Sequence, residues 1–190
     1  MVPKVLDNKG YLNMRMLRQG EGLCGPTCLK TVLNYYGRRI PMSRIVEACS
    51  ATSDAGCGPE KLVSAARCFG FDAEFFCGEN PEKALSELKN FIYQHNVPPI
   101  LDIHADILKG DRGHYIVARG FNGPNGDTLI YGDPRNGSNE RRLTMDELLP
   151  MWFDWRHSIP MPGEDIIRGY VVVYPRIKSI FIRNSSNSNH

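Results

Sequence analysis

A cysteine stands at the start of a helical pattern in the stretch RQGEGLCGPTCLKTVLNYYG, where Cys24 comes immediately before Gly25 and Pro26. Proline is well tolerated in the first turn of a helix, because its missing N–H leaves no hydrogen bond unmade there. The dipole and the free N–H groups of a helix N-terminus favour the thiolate, which is the reactive form of cysteine. The same N–H groups could bind an oxyanion. The pattern therefore indicates a nucleophile at Cys24, although free cysteine is also among the residue types most often buried for packing alone.

A cysteine nucleophile needs a general base, and the chain has five histidines. His114 is the best placed, because it opens the predicted strand HYIVARGF directly after the loop KGDRG, so its ring can project at the edge of a sheet. His104, at the end of the preceding predicted strand, is the rival. No supporting pattern surrounds the other three, His95, His157 and His190. We therefore predict His114 as the base, with a structural histidine as the plain alternative.

The third member of such a site is a group that orients the base, and Asp133 is the candidate. It ends the next predicted strand, LIYGDPRNG, and follows His114 by 19 positions. That length accommodates two antiparallel strands joined by the turn GFNGPNGD, which would place Asp133 beside His114. The alternative is an ordinary Asp-Pro turn, which occurs in many folds.

The elements that must position these residues are mainly helices in the first half of the chain and strands in the second. Helical spacing predicts helices from Pro26 to Gly37, after Pro41, from Pro59 to Gly70 and from Pro81. Strands are predicted at 71–77, 97–103, 114–121, 128–134 and 169–174, and a capping box at Thr144 and Glu147 begins a further short helix. This order predicts an α+β fold in which an N-terminal helical layer packs on a C-terminal antiparallel β-sheet.

The totals predict one domain over residues 1–178, followed by a polar, disordered tail at 179–190. A net charge of +2 in 190 residues is too small to indicate a nucleic-acid-binding protein. No apolar run approaches the length of a membrane helix, and the N-terminus lacks the apolar core of a signal peptide. We therefore expect a soluble protein of the cytoplasm, while export by another route stays open. The oligomeric state is not indicated.

The six cysteines are expected to be free thiols, because disulfides belong to oxidising compartments. Cys24 and Cys28 would share one helix face, which raises the alternative of a zinc site. No Cys-x-x-Cys pair or paired histidines accompany them, so a metal is disfavoured. The chemistry proposed for Cys24 needs no cofactor.

Beyond these separate signals, the sequence resembles the papain-like cysteine peptidases, and within them the bacteriocin-processing peptidases that cleave double-glycine leaders. The matching stretches are CGPTCLKTVLNYYGRRIPMSRIVEAC, GCGPEKLVSAARCFGFDAEFF, PPILDI, GHYIVARGF and LIYGDPRNG. They cover most of the chain, from Leu17 to Leu149.

The resemblance implies a papain-like fold and a cysteine peptidase. By the family pattern Cys24 is the nucleophile, His114 the base and Asp133 the orienting group, and Gln19 matches the glutamine of the oxyanion hole. The implied partner is a peptide or protein substrate, cut after small residues such as Gly-Gly.

Two features depart from the family pattern. Gln19 lies five positions before Cys24, one residue closer than in the family, and no transporter segment follows the domain in this sequence. The sequence therefore predicts a stand-alone domain, and a substrate different from that of its relatives stays open. Two alternatives stay open: the same triad could deamidate glutamine or transfer acyl groups, or the fold could bind peptides without cleaving them.

Overall fold

The structure is a computed structural model that describes residues 6–104, 113–123, 125–155 and 165–176. The described elements, in chain order, are α1 (Cys24–Tyr35), α2 (Met42–Ala48), α3 (Pro59–Cys68), β1 (Phe71–Phe76), α4 (Pro81–Tyr93), β2 (Ile100–Ile103), β3 (His114–Asn122), β4 (Thr128–Asp133), β5 (Ser138–Thr144), α5 (Met145–Met151), β6 (Phe153–Trp155), β7 (Asp165–Ile167) and β8 (Tyr170–Pro175). The predicted tail at 179–190 and the domain end at 178 lie outside the described residues.

The centre of the fold is an antiparallel sheet of six strands in the order β1-β8-β2-β3-β4-β5. Strands β6 and β7 form a separate antiparallel pair. The helices α1, α2 and α3 contact one another, and α1 and α3 also contact the sheet. This arrangement confirms the predicted α+β class with a helical layer on an antiparallel sheet.

The sheet carries helices on both faces. The ring of Phe71 on β1 lies 5.6 Å from that of Tyr36, just after α1, whereas the ring of Phe76 lies 5.8 Å from that of Phe91 on α4. Because side chains alternate along a strand, residues five apart point to opposite faces. Helix α4 therefore covers the face of the sheet opposite to α1, and the core extends to both sides.

Helix α1 forms because its apolar residues recur at helical spacing and are fully buried, as Leu29, Val32 and Leu33 show. It begins at Cys24, two residues before the predicted start at Pro26. Proline fits anywhere in the first turn, so its position did not fix the helix start. The cysteine is therefore the first residue of the helix.

Two antiparallel pairings position the predicted site residues. In β3 and β4, Val117 lies opposite Gly132, so the start of β3 and the end of β4 meet at one edge of the sheet. Strand β5 then continues the sheet beyond β4, with Asp133 opposite Ser138. Strand β5 was not predicted, because this edge strand is polar and mostly exposed, without the apolar alternation that marks a half-buried strand.

Candidate active site

The N-terminal end of α1 leaves its first backbone donors without a side-chain cap. The N-cap residue is Leu23, whose side chain cannot accept a hydrogen bond, and Pro26 has no N–H. The first four N–H groups of a helix have no carbonyl partner within it, and those of Cys24 and Gly25 instead meet the Cys24 sulfur. Leucine is disfavoured at N-caps, because its side chain cannot accept a hydrogen bond from the first turn.

Cys24 is half-buried, and burial raises the pKa of its thiol. Backbone hydrogen bonds from Tyr115, Gly25 and Cys24 itself act in the opposite direction, but they do not offset the loss of water. The nearby Asp102 carboxyl raises the pKa of the thiol further. Burial of the Cys24 thiol therefore opposes the thiolate that the helix N-terminus favours.

Gly25 is needed for packing. A Cβ atom at this position would lie 2.9 Å from Cys57 Sγ and 3.1 Å from the ring of Tyr115. Real Cβ atoms essentially never show the first distance, and the second is tighter than most real Cβ contacts. The absence of a side chain at Gly25 therefore lets both neighbours pack against the first turn of α1.

His114 and Asp133 are joined directly. His114 Nε2 lies 2.9 Å from Asp133 Oδ1, and the two residues are only 3% and 4% exposed. Because Nε2 faces the carboxylate, Nδ1 is the ring nitrogen left to exchange a proton with another group. The predicted meeting of the strand ends therefore occurs, and the pair lines a cavity of about 150 Å³.

Asp133 is surrounded by donors. Its Oδ1 also accepts the backbone N–H of Arg135 at 2.9 Å, and its Oδ2 lies 3.1 Å from Arg141 Nη1. Burial by itself would raise the pKa of this carboxyl, but the hydrogen bonds from His114 and Arg135 outweigh it, and the resulting pKa lies below the ordinary value. Asp133 is therefore held as a carboxylate facing His114.

Cys24 lies near this pair because its sulfur contacts the backbone of β3. Its sulfur meets the backbone of Tyr115, the residue directly after His114. Within the described residues, no hydrogen bond joins Cys24 Sγ to the His114 ring. Hydrogen bonds between catalytic groups are often long before substrate binds and shorten in the complex, so a contact between Cys24 Sγ and the His114 ring is expected with substrate bound.

Gln19 is tied to the same end of the sheet. Its backbone N–H donates to the carbonyl of Pro134 at 2.8 Å, which places it beside the residue that follows Asp133. A turn closed by the Leu23 N–H and the Gly20 carbonyl then leads directly into Cys24. The side-chain Oε1 of Gln19 is buried and has no hydrogen-bond partner within the described part of the chain. Buried amides rarely lack a partner, so this side chain needs an explanation beyond the fold.

His104, the rival base, lies in a different environment. It is 1% exposed, its ring stacks on Phe153 with centroids 5.2 Å apart, and its Nδ1 lies 3.9 Å from Asp154 Oδ1. Its backbone N–H donates to the Met151 carbonyl at 2.8 Å. These contacts link β2 to β6, whereas the shorter carboxylate contact belongs to His114.

The sequence reasoning missed a buried carboxyl near the thiol. Asp102 on β2 lies opposite Tyr115 on β3 and is 1% exposed. Burial, followed by the charge of Asp154, raises the pKa of Asp102 well above its ordinary value. An aspartate inside the otherwise apolar strand ILDI is a signal that could have revealed it.

The remaining cysteines give no support to a metal site. Cys28 is buried, and its thiol donates to the Tyr115 carbonyl at 3.3 Å, so it is occupied within the core. No group of three or more potential ligands that could hold a metal ion occurs within the described residues. All six cysteines are free thiols, as the sequence predicted.

Comparison with known proteins identifies the family. The sequence profile of the peptidase C39 family matches residues 15–154, which contain Cys24, His114 and Asp133. This chain belongs to the peptidase C39 family. It is therefore a cysteine peptidase, and the resemblance stated from the sequence is confirmed. A search of curated protein sequences gave no significant match.

Solved structures of related domains show the same fold. A double glycine motif protease from an AMS/PCAT transporter, crystallised with the leader peptide, is 22% identical with a TM-score of 0.61, over 88% of this chain and 96% of that one. The peptidase domain of Streptococcus ComA, a bi-functional ABC transporter involved in quorum sensing, is 18% identical with a TM-score of 0.62, over 86% and 100%.

A third neighbour is the peptidase C39 like domain of a toxin secretion ATP-binding protein from Vibrio parahaemolyticus. It is 17% identical with a TM-score of 0.54, over 83% of this chain and 99% of that one. At these identities the likeness establishes the papain-like fold. In the part of the chain that the structure describes, no helix is both long and apolar enough to cross a membrane.

Proposed function

We propose that Cys24, His114 and Asp133 are the catalytic triad of this peptidase, and that it cleaves a peptide or protein substrate after a small pair such as Gly-Gly. The observation that carries the proposal is the buried 2.9 Å contact between His114 and Asp133, next to the helix that begins at Cys24. A base oriented by a carboxylate and adjacent to a nucleophile is the arrangement that covalent catalysis requires.

The resting thiol is neutral in this proposal, because burial raises the pKa of Cys24. His114 therefore acts as a general base: Nδ1 takes the thiol proton as the sulfur attacks the substrate carbonyl. The C–N bond then breaks as the imidazolium returns the proton to the leaving amine. Water, deprotonated by the same ring, hydrolyses the thioester and frees Cys24. Asp133 stabilises the imidazolium but keeps its own charge.

The oxyanion is stabilised by the backbone N–H groups of Cys24 and Gly25 and by the side-chain amide of Gln19. The two N–H groups have no side-chain cap and no carbonyl partner within the helix, and both meet the Cys24 sulfur, where the reaction takes place. The Gln19 amide is held next to this helix start by the turn that ends at Leu23. Donors that are fixed before the reaction act most strongly on a charge that forms only in the transition state.

A solved relative supports the proposed substrate class. One solved neighbour is a double glycine motif protease bound to a leader peptide, and its fold covers most of this chain. We therefore assign a peptide with Gly-Gly before the scissile bond as the first substrate to test. A glutamine-containing peptide should be tested beside it, because a triad of this kind could also release ammonia from a side-chain amide.

Mass spectrometry of both peptides after incubation with the protein tests the proposal. We expect cleavage after Gly-Gly by the wild type, by Cys28→Ala and by His104→Ala, and none by Cys24→Ala or His114→Ala. Cys28 and His104 are matched controls, since each is a residue of the same type at least as deeply buried nearby. Deamidation of the glutamine peptide without cleavage of the other would overturn the substrate assignment, and activity lost in His104→Ala but kept in His114→Ala would overturn the triad.

A further inference from the structure

The carboxylate of Asp133 has a second charged neighbour that faces away from the histidine. Arg141 Nη1 lies 3.1 Å from Oδ2, whereas His114 Nε2 and the Arg135 N–H both meet Oδ1 at 2.9 Å. Each carboxylate oxygen therefore has its own donors. The Arg135 donor is a backbone N–H, whereas the donor to Oδ2 is the side chain of Arg141.

The pairing of β4 and β5 explains why this arginine reaches the aspartate. Arg141 lies opposite Tyr131, and a bulge between Tyr131 and Asp133 shifts the register so that Ser138 lies opposite Asp133. Tyr131, Asp133 and Arg141 line the same cavity, so they share one face of the sheet. Side chains on diagonal positions of neighbouring strands lie within reach when they are long.

The next residue on β5 offers a natural comparison. Arg142 points to the other face, where its Nη2 lies 3.1 Å from Glu140 Oε1. The two arginines have similar exposure, 48% for the side chain of Arg141 and 58% for that of Arg142. Their partners differ, because the Asp133 side chain is 6% exposed and that of Glu140 is 27% exposed. Only Arg141 therefore contacts a buried carboxylate.

We propose that Arg141 is a positioning residue of this peptidase, which fixes the Asp133 carboxylate so that Oδ1 stays directed at His114. The proposal rests on the triad assigned above. Arg141 acts through Asp133 and touches neither substrate nor the reacting atoms. A pair with one half-exposed partner contributes little to folding stability, so its effect is expected in the orientation and ionisation of the carboxylate.

The groups around Asp133 determine what the pH dependence should show. The titratable and charged groups that face it are His114 on β3, Arg135 in the turn, Arg141 on β5, Tyr131 on β4 and Cys28 on α1. Arg141 favours the ionised carboxylate, so its removal raises the pKa of Asp133. If catalysis requires the carboxylate, the acidic limb of the kcat/KM profile moves to higher pH in Arg141→Met.

The kinetic test compares Arg141→Met, Arg141→Lys and the control Arg142→Met on the Gly-Gly peptide. We expect Arg141→Met to lose about tenfold in kcat/KM, the size of one charge-assisted hydrogen bond. Arg141→Lys should recover most of that loss because it keeps the cation, and Arg142→Met should match the wild type. Equal values for Arg141→Met and Arg142→Met would overturn the proposal.

A second background separates positioning from substrate binding. In Asp133→Asn an NH₂ group replaces Oδ2, so Arg141 has no carboxylate oxygen to hold. Adding Arg141→Met to this variant should therefore cause no further loss in kcat/KM. The same loss in both backgrounds would mean that Arg141 acts directly on the substrate, and the proposal would be wrong.

A measurement without substrate keeps the two proposals distinguishable. The ring nitrogens of His114 can be followed by NMR in ¹⁵N-histidine-labelled protein during a pH titration. We expect Arg141→Met to shift the His114 ring resonances while Arg142→Met leaves them in place. That result would support the positioning role even if the Gly-Gly peptide is not cleaved. Unchanged His114 resonances in a folded Arg141→Met protein would overturn the role whatever the substrate.

Discussion

Replacing Asp133 by asparagine tests whether His114 depends on the orientation that Asp133 imposes or on its negative charge. The Arg135 N–H and His114 Nε2 both donate to Oδ1, so an asparagine is expected to place its carbonyl oxygen there. Its NH₂ group would then face Arg141, which can swing into solvent because it is half-exposed. The orientation of the His114 ring is retained, while the negative charge beside it is lost.

The magnitude follows from the change in one hydrogen bond. A bond to a charged partner contributes about 1.5–3 kcal/mol and one between neutral groups about 0.5–1.5 kcal/mol. The difference of about 1–1.5 kcal/mol corresponds to a loss of about tenfold in kcat/KM for Asp133→Asn. Asp133→Ala removes the whole bond and frees the His114 ring, so its loss should reach about 10².

Steady-state kinetics on the Gly-Gly peptide, with circular dichroism to check the fold, measures both variants. The order wild type, Asp133→Asn, Asp133→Ala is the expected result. An asparagine variant as slow as the alanine variant would mean that charge alone matters and orientation does not. An asparagine variant as fast as the wild type would refute the role of the carboxylate.

Three further predictions follow from the helix start and the turn before it. Alkylation of Cys24 by iodoacetamide should accelerate as pH rises above neutral, with an apparent pKa above that of an ordinary cysteine, because burial raises the pKa of the thiol and the thiolate forms only above it. Gln19→Ala should lose ~10²–10³ in kcat with little change in KM, since its amide stabilises a charge present only in the transition state. Gly22→Ala should lower the free energy of unfolding by at least about 2 kcal/mol in denaturant titration, because Gly22 has a φ of +66° and a Cβ would lie 2.1 Å from the Ser53 carbonyl oxygen.

Each of these predictions has a result that would contradict it. Alkylation of Cys24 that is already fast and independent of pH below neutral would show a thiolate in the free protein. A loss below threefold in Gln19→Ala would mean that the amide does not reach the oxyanion and that backbone donors serve alone. Gly20→Ala is the control for Gly22→Ala, because a Cβ there has only an ordinary contact of 3.5 Å, and equal destabilisation by both would refute the steric reasoning.

The sequence predicted the part of the site that depends on local pattern. His114 and Asp133 open and close apolar strands joined by a short turn, and such strands pair with little ambiguity. The pairing of these two strands brings the side chains of His114 and Asp133 together without contacts from distant segments. The helix after Cys24 was predictable for the same reason, since its buried residues recur at helical spacing.

What could not be predicted depends on contacts between distant segments. The position of Gln19 is fixed by a hydrogen bond to Pro134, which lies in another part of the sequence. The pKa of the Cys24 thiol depends on how deeply the fold buries it, which the position of Cys24 at a helix start does not reveal. Arg141 was hidden because β5 is polar and its register depends on a bulge.

Trapping the acyl-enzyme tests directly whether Cys24 is the nucleophile. The protein would be mixed with the Gly-Gly peptide, quenched in acid within one turnover and digested for peptide mapping by mass spectrometry. We expect a thioester on Cys24 that carries the part of the substrate ending in Gly-Gly, and no adduct on Cys24 in His114→Ala. An acyl group on Cys28 or Cys57, or turnover by Cys24→Ala, would contradict it.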